Sequence, residues 1–312
     1  MTVHRPSYEK FNYAIRPNKR TQRKMIFEAL GRYVGAFPGQ DFRYVGFGSM
    51  WFSDFIIAHR KLGIKRLTSI EMPDGYKRAQ YNRPFSCIRV MEGISTAVLP
   101  KLNWKKPAIV WLDYDYAPES ESLQDLAFLG ERAQTSSVLM ATFDARPPWR
   151  DGDSRAARGD ALRRTFGDSV PTRLPRVLAP EEYPDLLVKI LWAYLESTLS
   201  DNGRAREGVE IVPLFSFWYK DGAPMITIGG ALLDRAGRKT VKSARLLEGL
   251  SFLTGKKLFN IAIPPITPKE RSELDRRLPR ASVNLPFPLP REFVEAYAQL
   301  YRYYPMMGEV DL

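Results

Sequence analysis

The chain has 312 residues, 44% of them hydrophobic, with 47 basic against 35 acidic side chains and a net charge of +12. That length and apolar content exclude wholesale disorder, and the charge favours anionic partners, nucleic acid first among them. A single cysteine, Cys87, excludes an internal disulfide framework, and with only His4 and His59 beside it no Cys/His zinc cage can be assembled.

Residues 1–38 read as a basic N-terminal arm leading into a helix. Arg16, Lys19 and Arg20 belong to the arm, and Thr21 is a plausible N-cap for an amphipathic helix with Met25, Ile26, Leu30 and Val34 along one stripe. The first twenty residues lack the apolar core of a secretory leader, and no apolar run reaches membrane-spanning length, so a cytoplasmic location is the expectation. Residues 42–47 form a first strand running into Gly46-Phe47-Gly48-Ser49. A helix capped by Ser53 and stopped at Gly63 follows, then a second strand ending in Glu71-Met72. A polar helix over 74–83 leads to a third strand, 87–93, with Glu92-Gly93 at its tip. After a helix at 95–102, the fourth strand ends in Asp113-Tyr114-Asp115-Tyr116. A helix over 120–133 and a strand over 137–144 complete five parallel-type units, without an internal sequence repeat.

Strand–helix alternation of this kind predicts an α/β fold, a Rossmann-like parallel sheet with helices on both faces. The Gly/Pro-punctuated stretch 146–176, with Arg155 and Arg158, reads as a mobile excursion containing a short helix over 160–166. Beyond a helix at 184–199, the runs 210–217 and 224–233 flank Lys220-Asp221-Gly222 and predict an antiparallel hairpin at the C-terminal edge. Thr267-Pro268-Lys269-Glu270 opens a further helix, and an aromatic-rich helix occupies 290–304. The organisation expected is an arm and helix over 1–38, a core over 39–235 and a helical extension over 236–312.

Three strand ends carry chemistry. Gly46 and Gly48, without a Cβ, allow backbone to approach a ligand closely. Glu71 lies twenty-three positions past Gly48, near the roughly 20 expected for a ribose-binding acid in a nucleotide-binding unit. Asp113 ends the fourth strand, where acids face the crevice at the carboxyl edge of such sheets. Tyr114 and Tyr116 could stack on a base, or else line an apolar seam with Asp115 capping the next helix.

Five parallel-type units followed by an antiparallel hairpin resemble the class I S-adenosylmethionine-dependent methyltransferases. Gly46-Phe47-Gly48-Ser49, Phe52-Ser53-Asp54-Phe55, Ser69-Ile70-Glu71, Trp111-Leu112-Asp113-Tyr114-Asp115 and Tyr301-Arg302-Tyr303-Tyr304-Pro305 resemble the bacterial family described as putative O-methyltransferases. The resemblance implies S-adenosyl-L-methionine as cofactor. Gly46, Phe47, Gly48 and Ser49 would form the turn under its methionine part, Glu71 and Met72 its ribose site, and Glu92 and Gly93 its adenine site. Asp113 would lie at the ammonium or the methyl acceptor, and Asp113, Tyr114, Asp115 and Tyr116 would be the catalytic group. Tyr44 and Met50 stand where the common turn has an acid and a third glycine. Two functions are therefore carried: a methyltransferase with nucleic acid favoured over a small molecule as acceptor, or a non-catalytic nucleotide-sensing or nucleic-acid-binding subunit of a larger assembly. In either, Arg16, Lys19, Arg20, Arg155 and Arg158 would form a basic surface for DNA or RNA, and a protein partner or homo-oligomer is possible.

Overall fold

The computed structural model describes residues 16–174, 179–246, 248–279 and 285–305. The first fifteen residues of the basic arm and residues 175 and 176 of the excursion lie outside them. The chain runs α1 (Pro17–Gly35), β1 (Arg43–Gly46), α2 (Ser53–Leu62), β2 (Leu67–Glu71), α3 (Pro73–Asn82), β3 (Ile88–Glu92), α4 (Ser95–Val98), β4 (Ala108–Asp113), α5 (Ser120–Arg132) and β5 (Val138–Asp144). It continues through α6 (Arg155–Phe166), α7 (Tyr183–Asp201), β6 (Glu210–Lys220), β7 (Pro224–Leu233), α8 (Arg235–Ser243), β8 (Leu258–Ile261), α9 (Pro268–Asp275) and α10 (Arg291–Leu300). Eight strands form one sheet in the order β3-β2-β1-β4-β5-β7-β6-β8. Strands β1 to β5 are mutually parallel, and β7 is antiparallel to both β5 and β6. The expected α/β class and edge hairpin are thus present. The C-terminal extension is not purely helical, because β8 pairs in parallel with β6.

Alternation along the strands divides the core between the two faces of the sheet. Tyr44, Leu67, Ile109, Trp111, Val138 and Met140 pack on the face covered by α1 and α2. Val45, Val110, Leu112 and Leu139 pack on the face of α5 and α7. Strand β4 is central and buried from Ala108 to Leu112; only its last residue, Asp113, reaches the edge.

Helix α1 begins at Pro17, four residues before the expected cap, because its cap comes from elsewhere. The Asp221 carboxylate in the β6–β7 turn accepts the backbone N–H of Asn18 at 3.0 Å and of Lys19 at 2.8 Å, satisfying first-turn donors and favouring the positive end of the helix. Thr21 instead donates its hydroxyl to the Tyr303 carbonyl at 3.2 Å. At the far end, Tyr33 donates to Ser136 O at 3.0 Å. The N-terminus of α1 is therefore held over the carboxyl edge of the parallel strands. Helix α6 is longer than expected because Ser154 caps it, accepting from Ala157 N at 3.2 Å. No helix among the described residues is long and apolar enough to cross a membrane.

Candidate active site

Strand β1 ends at Gly46, and the loop after it folds back on β2. The Gly48 N–H donates to Ser69 Oγ at 2.8 Å and to Glu71 Oε1 at 2.9 Å, and the Ser69 hydroxyl donates to the same Oε1 at 2.6 Å. Burial pushes the Glu71 carboxyl up, while Ser69 and the backbone N–H groups of Gly48 and Ser49 hold it down. The reason for the glycines differs from the expected ligand approach. A Cβ on Gly46 would stand 2.7 Å from the Trp111 carbonyl, and one on Gly48 would stand 2.6 Å from Ser69 Oγ and 2.5 Å from the Phe52 ring. Both are required by the loop's own packing on its neighbours. Ser49 and Phe52 take left-handed backbone with φ of 49° and 46°, a cost that packing must over-determine. Phe52, rather than Ser53, is the N-cap of α2, and no side chain caps that helix.

The loops leaving β1, β2 and β3 carry an unusual surface. Trp51, Met72 and Ile94 are 48%, 56% and 49% exposed, and they are three of the four large apolar side chains left exposed among the described residues. All three sit on loops leaving neighbouring strands at the carboxyl edge of the sheet, so the exposed apolar surface is concentrated there rather than scattered. Glu92 is exposed beside them, and the Gly93 N–H donates to the Glu71 carbonyl at 2.9 Å.

On the β4 side the edge is closed by α1. Lys19 Nζ reaches Asp113 Oδ1 at 2.6 Å, with the lysine side chain 4% and the aspartate 31% exposed. The same ammonium lies 4.8 Å from the Trp111 ring centre and 5.4 Å from that of Tyr219, a cation–π cage. Burial draws the Lys19 amine down, opposed by Asp113. Beneath it, Gln22 Nε2 donates to Thr227 Oγ1 at 2.5 Å, Thr227 and Thr142 share a hydrogen bond of 2.8 Å, and Trp111 Nε1 donates to Thr142 at 3.0 Å. The Tyr44 hydroxyl donates to Asp54 Oδ2 at 2.6 Å. Burial raises the Asp54 carboxyl, and the Arg23 charge opposes that rise.

Register sets the relation of the two acids. Gly46 is paired with Ser69 on one side and Trp111 on the other, and Glu71 and Asp113 each lie two residues further on. Both therefore belong to the same face and the same edge, flanking β1. Gly46, Gly48, Ser49, Met72, Glu92 and Gly93 gather with them. Phe47 turns the other way, its ring 5.3 Å from that of Tyr114.

The expected catalytic group is divided. Tyr114 is 3% exposed, stacked on Phe143 at 5.0 Å, and donates its hydroxyl to Asp125 at 2.7 Å. It points to the opposite face from Asp113 because successive strand residues alternate. Tyr116 leans on Tyr114 at 5.3 Å, with its carbonyl accepting from Asp144 N, and Asp115 is exposed. Lys19 is a second correction: it is buried against Asp113, not part of a basic surface. Arg155 donates to the Leu174 carbonyl and Arg158 to that of Asp153, while Arg20 is exposed and Arg16 partly buried at the start of α1. His59 packs away from the crevice, its Nδ1 2.9 Å from Ile64 O. The Lys19–Asp113 pair, Asp54 and Arg23 were absent from the expected site. A signal for the first existed, since Lys19, Gln22 and Ile26 fall on one helical stripe.

The model of the family described as “Putative O-methyltransferase” matches residues 11–312. The chain belongs to that family. Its sheet order, with an antiparallel β7, is that of the class I S-adenosylmethionine-dependent methyltransferases. No curated protein matches this family member. Among solved structures it is similar to Trm1 from Pyrococcus horikoshii in complex with S-adenosyl-L-methionine, at 13% identity and a TM-score of 0.47, over 74% of this chain and 58% of that one. It is also similar to a LepI variant in complex with S-adenosylhomocysteine and a substrate analogue, at 14% identity and a TM-score of 0.33, over 62% of this chain and 44% of that one. The Methanococcus jannaschii fibrillarin pre-rRNA processing protein aligns at 10% identity and a TM-score of 0.35, over 63% of this chain and 68% of that one. The family member spans about half the length of the LepI and Trm1 structures.

Proposed function

We propose that this chain is an S-adenosylmethionine-dependent methyltransferase whose cofactor lies along the β1–β3 edge. The observation that carries the reading is the half-exposed trio Trp51, Met72 and Ile94 on the loops that leave β1, β2 and β3, the strand β2 ending in the buried Glu71. A purine needs apolar surface for its faces, and Met72 and Ile94 supply it. Fully burying such a side chain contributes about 1.5–3 kcal/mol, so covering their exposed halves contributes about 2 kcal/mol together. A ribose needs an acceptor for its hydroxyls. An ionised carboxylate has about four acceptor positions, of which Gly48 N, Ser69 Oγ and Ser49 N use three in Glu71. The residues present therefore fit the adenosine part of the cofactor. Bound there, the cofactor supplies an electrophilic methyl group on its sulfonium.

The chain's own contribution is alignment and exclusion of water at the β4 tip. Asp113, neutralised by Lys19 and 31% exposed, offers acceptor lone pairs toward the crevice without a net charge in the pair. For the acceptor we favour nucleic acid. The +12 charge supports it, as does the stretch after β5, which between residues 146 and 166 carries Arg146, Arg150, Arg155, Arg158, Arg163 and Arg164 against three aspartates. A non-catalytic nucleotide-binding subunit is the second reading, favoured by the turning of Tyr114 into the core.

Isothermal titration with S-adenosylhomocysteine tests the cofactor reading. Micromolar binding is expected, weakened by about 100-fold or more in Glu71→Ala; no binding, or undiminished binding by the variant, overturns it. Radiolabelled methyl transfer to RNA, DNA and metabolite pools then separates the acceptors, and cofactor binding with no incorporation in any pool favours the second reading.

A further inference from the structure

Arg23 lies one helical turn beyond Lys19 on α1. Its Nε is buried and finds no acceptor, and no described residue forms an ion pair with its guanidinium. Neighbours on both sides fix where it sits. One turn earlier, Lys19 is bound to Asp113 at the β4 tip. One turn later, the Phe27 ring packs 6.2 Å from that of Tyr44 in β1. Arg23 therefore lies over the end of β1, between Asp113 and the first turn of α2, where its charge acts on Asp54.

The two acids nearest it are already engaged, Asp113 by the Lys19 ammonium and Asp54 by the Tyr44 hydroxyl. A partly desolvated guanidinium without a hydrogen-bonded anion is costly, and a planar carboxylate matches its fork with two parallel bonds. The glycine loop cannot take over that anion. Its Gly48 and Ser49 N–H groups are spent on Glu71.

We propose that Arg23 receives the carboxylate of the cofactor's methionyl end, so that α1, not the glycine loop, supplies the cationic contact of the site. This rests on the S-adenosylmethionine reading above. It also gives the capping of α1 by Asp221 and its fastening by Tyr303 a role in binding: the β6–β7 turn and the C-terminal segment hold the residue that grips the ligand.

Titration with S-adenosylmethionine and with decarboxylated S-adenosylmethionine, which differ only in that carboxylate, tests the inference. In the wild-type protein the carboxylated ligand should bind at least about 10-fold more tightly. Arg23→Gln should weaken S-adenosylmethionine by about 10- to 100-fold and change the decarboxylated ligand by less than about twofold. Arg23→Lys, which keeps the charge and loses the fork, should fall between; it also serves if the glutamine variant does not fold. Equal losses for both ligands, or no loss for either, overturn the assignment while leaving the cofactor reading standing. Failure of the wild-type protein to bind either ligand removes both.

Discussion

On the β1–β3 side of the carboxyl edge, Trp51, Met72 and Ile94 stand half-exposed on the loops, and the acid at the end of β2, Glu71, is buried. On the β4–β7 side, Lys19 closes on Asp113, and Gln22, Thr227, Thr142 and Trp111 form a hydrogen-bonded chain beneath. The first side leaves apolar surface in water. The second has already compensated its charges within the protein. The sheet edge is thus divided into a half that leaves apolar side chains open, where the proposal places the cofactor, and a half whose polar groups are already paired. Helix α1 is the difference, because it covers the second half and leaves the first open.

The largest expected effect breaks the open half at its hinge. Gly48→Ala forces a Cβ into Ser69 Oγ and the Phe52 ring. It should destabilise the fold by about 3 kcal/mol, visible as an early midpoint in urea, and abolish titratable cofactor binding. A melt unchanged from wild type would mean that the loop is not pinned as described. Next, Lys19→Met leaves Asp113 without its counter-ion. Loss of one partner of a fully buried pair costs about 3–5 kcal/mol; with Asp113 31% exposed, about 2 kcal/mol is expected. The double variant Lys19→Met/Asp113→Asn should recover most of it, and failure to recover would show that the lysine acts through packing alone.

Acidification sharpens the comparison, since the proposed ribose acceptor in the open half is a buried carboxylate whose pKa is raised. Burial raises Glu71 above its ordinary 4.5. A group whose pKa is higher in the folded state stabilises the ligand-free protein most below the unfolded value, and that contribution is lost as pH rises through the folded value. Ribose binding has the opposite sign, because it needs the carboxylate. Cofactor affinity should therefore fall as pH drops through a value above 4.5, and titrations in a pH series should lose that step in Glu71→Gln. The smallest effect belongs to Tyr114→Phe. It removes the bond to Asp125, lowers stability by about 1 kcal/mol and leaves cofactor affinity unchanged; a lost affinity would return Tyr114 to the site.

Much of the frame was legible because apolar runs ending in Gly46, Glu71, Glu92 and Asp113 announce strand tips, and parallel strands bring their tips to one edge. Strict alternation would also have turned Tyr114 away from Asp113, had period two been applied past the strand end. The Lys19–Asp113 pair was hidden by a separation of 94 positions, and no local pattern states which acid a helical lysine will meet. The left-handed Ser49 and Phe52 were equally hidden, because both residue types ordinarily avoid that backbone. The N-cap of α1 comes from Asp221, 203 positions from Asn18, so local capping rules chose Thr21 instead.

A crystal structure of the protein with S-adenosylhomocysteine tests the central claim most directly. The expected result is the purine between Met72 and Ile94 with a ribose hydroxyl on the acceptor position of Glu71 that the protein leaves free. Adenosine density anywhere else, or a crevice that keeps Met72 and Ile94 uncovered at saturating ligand, would contradict it.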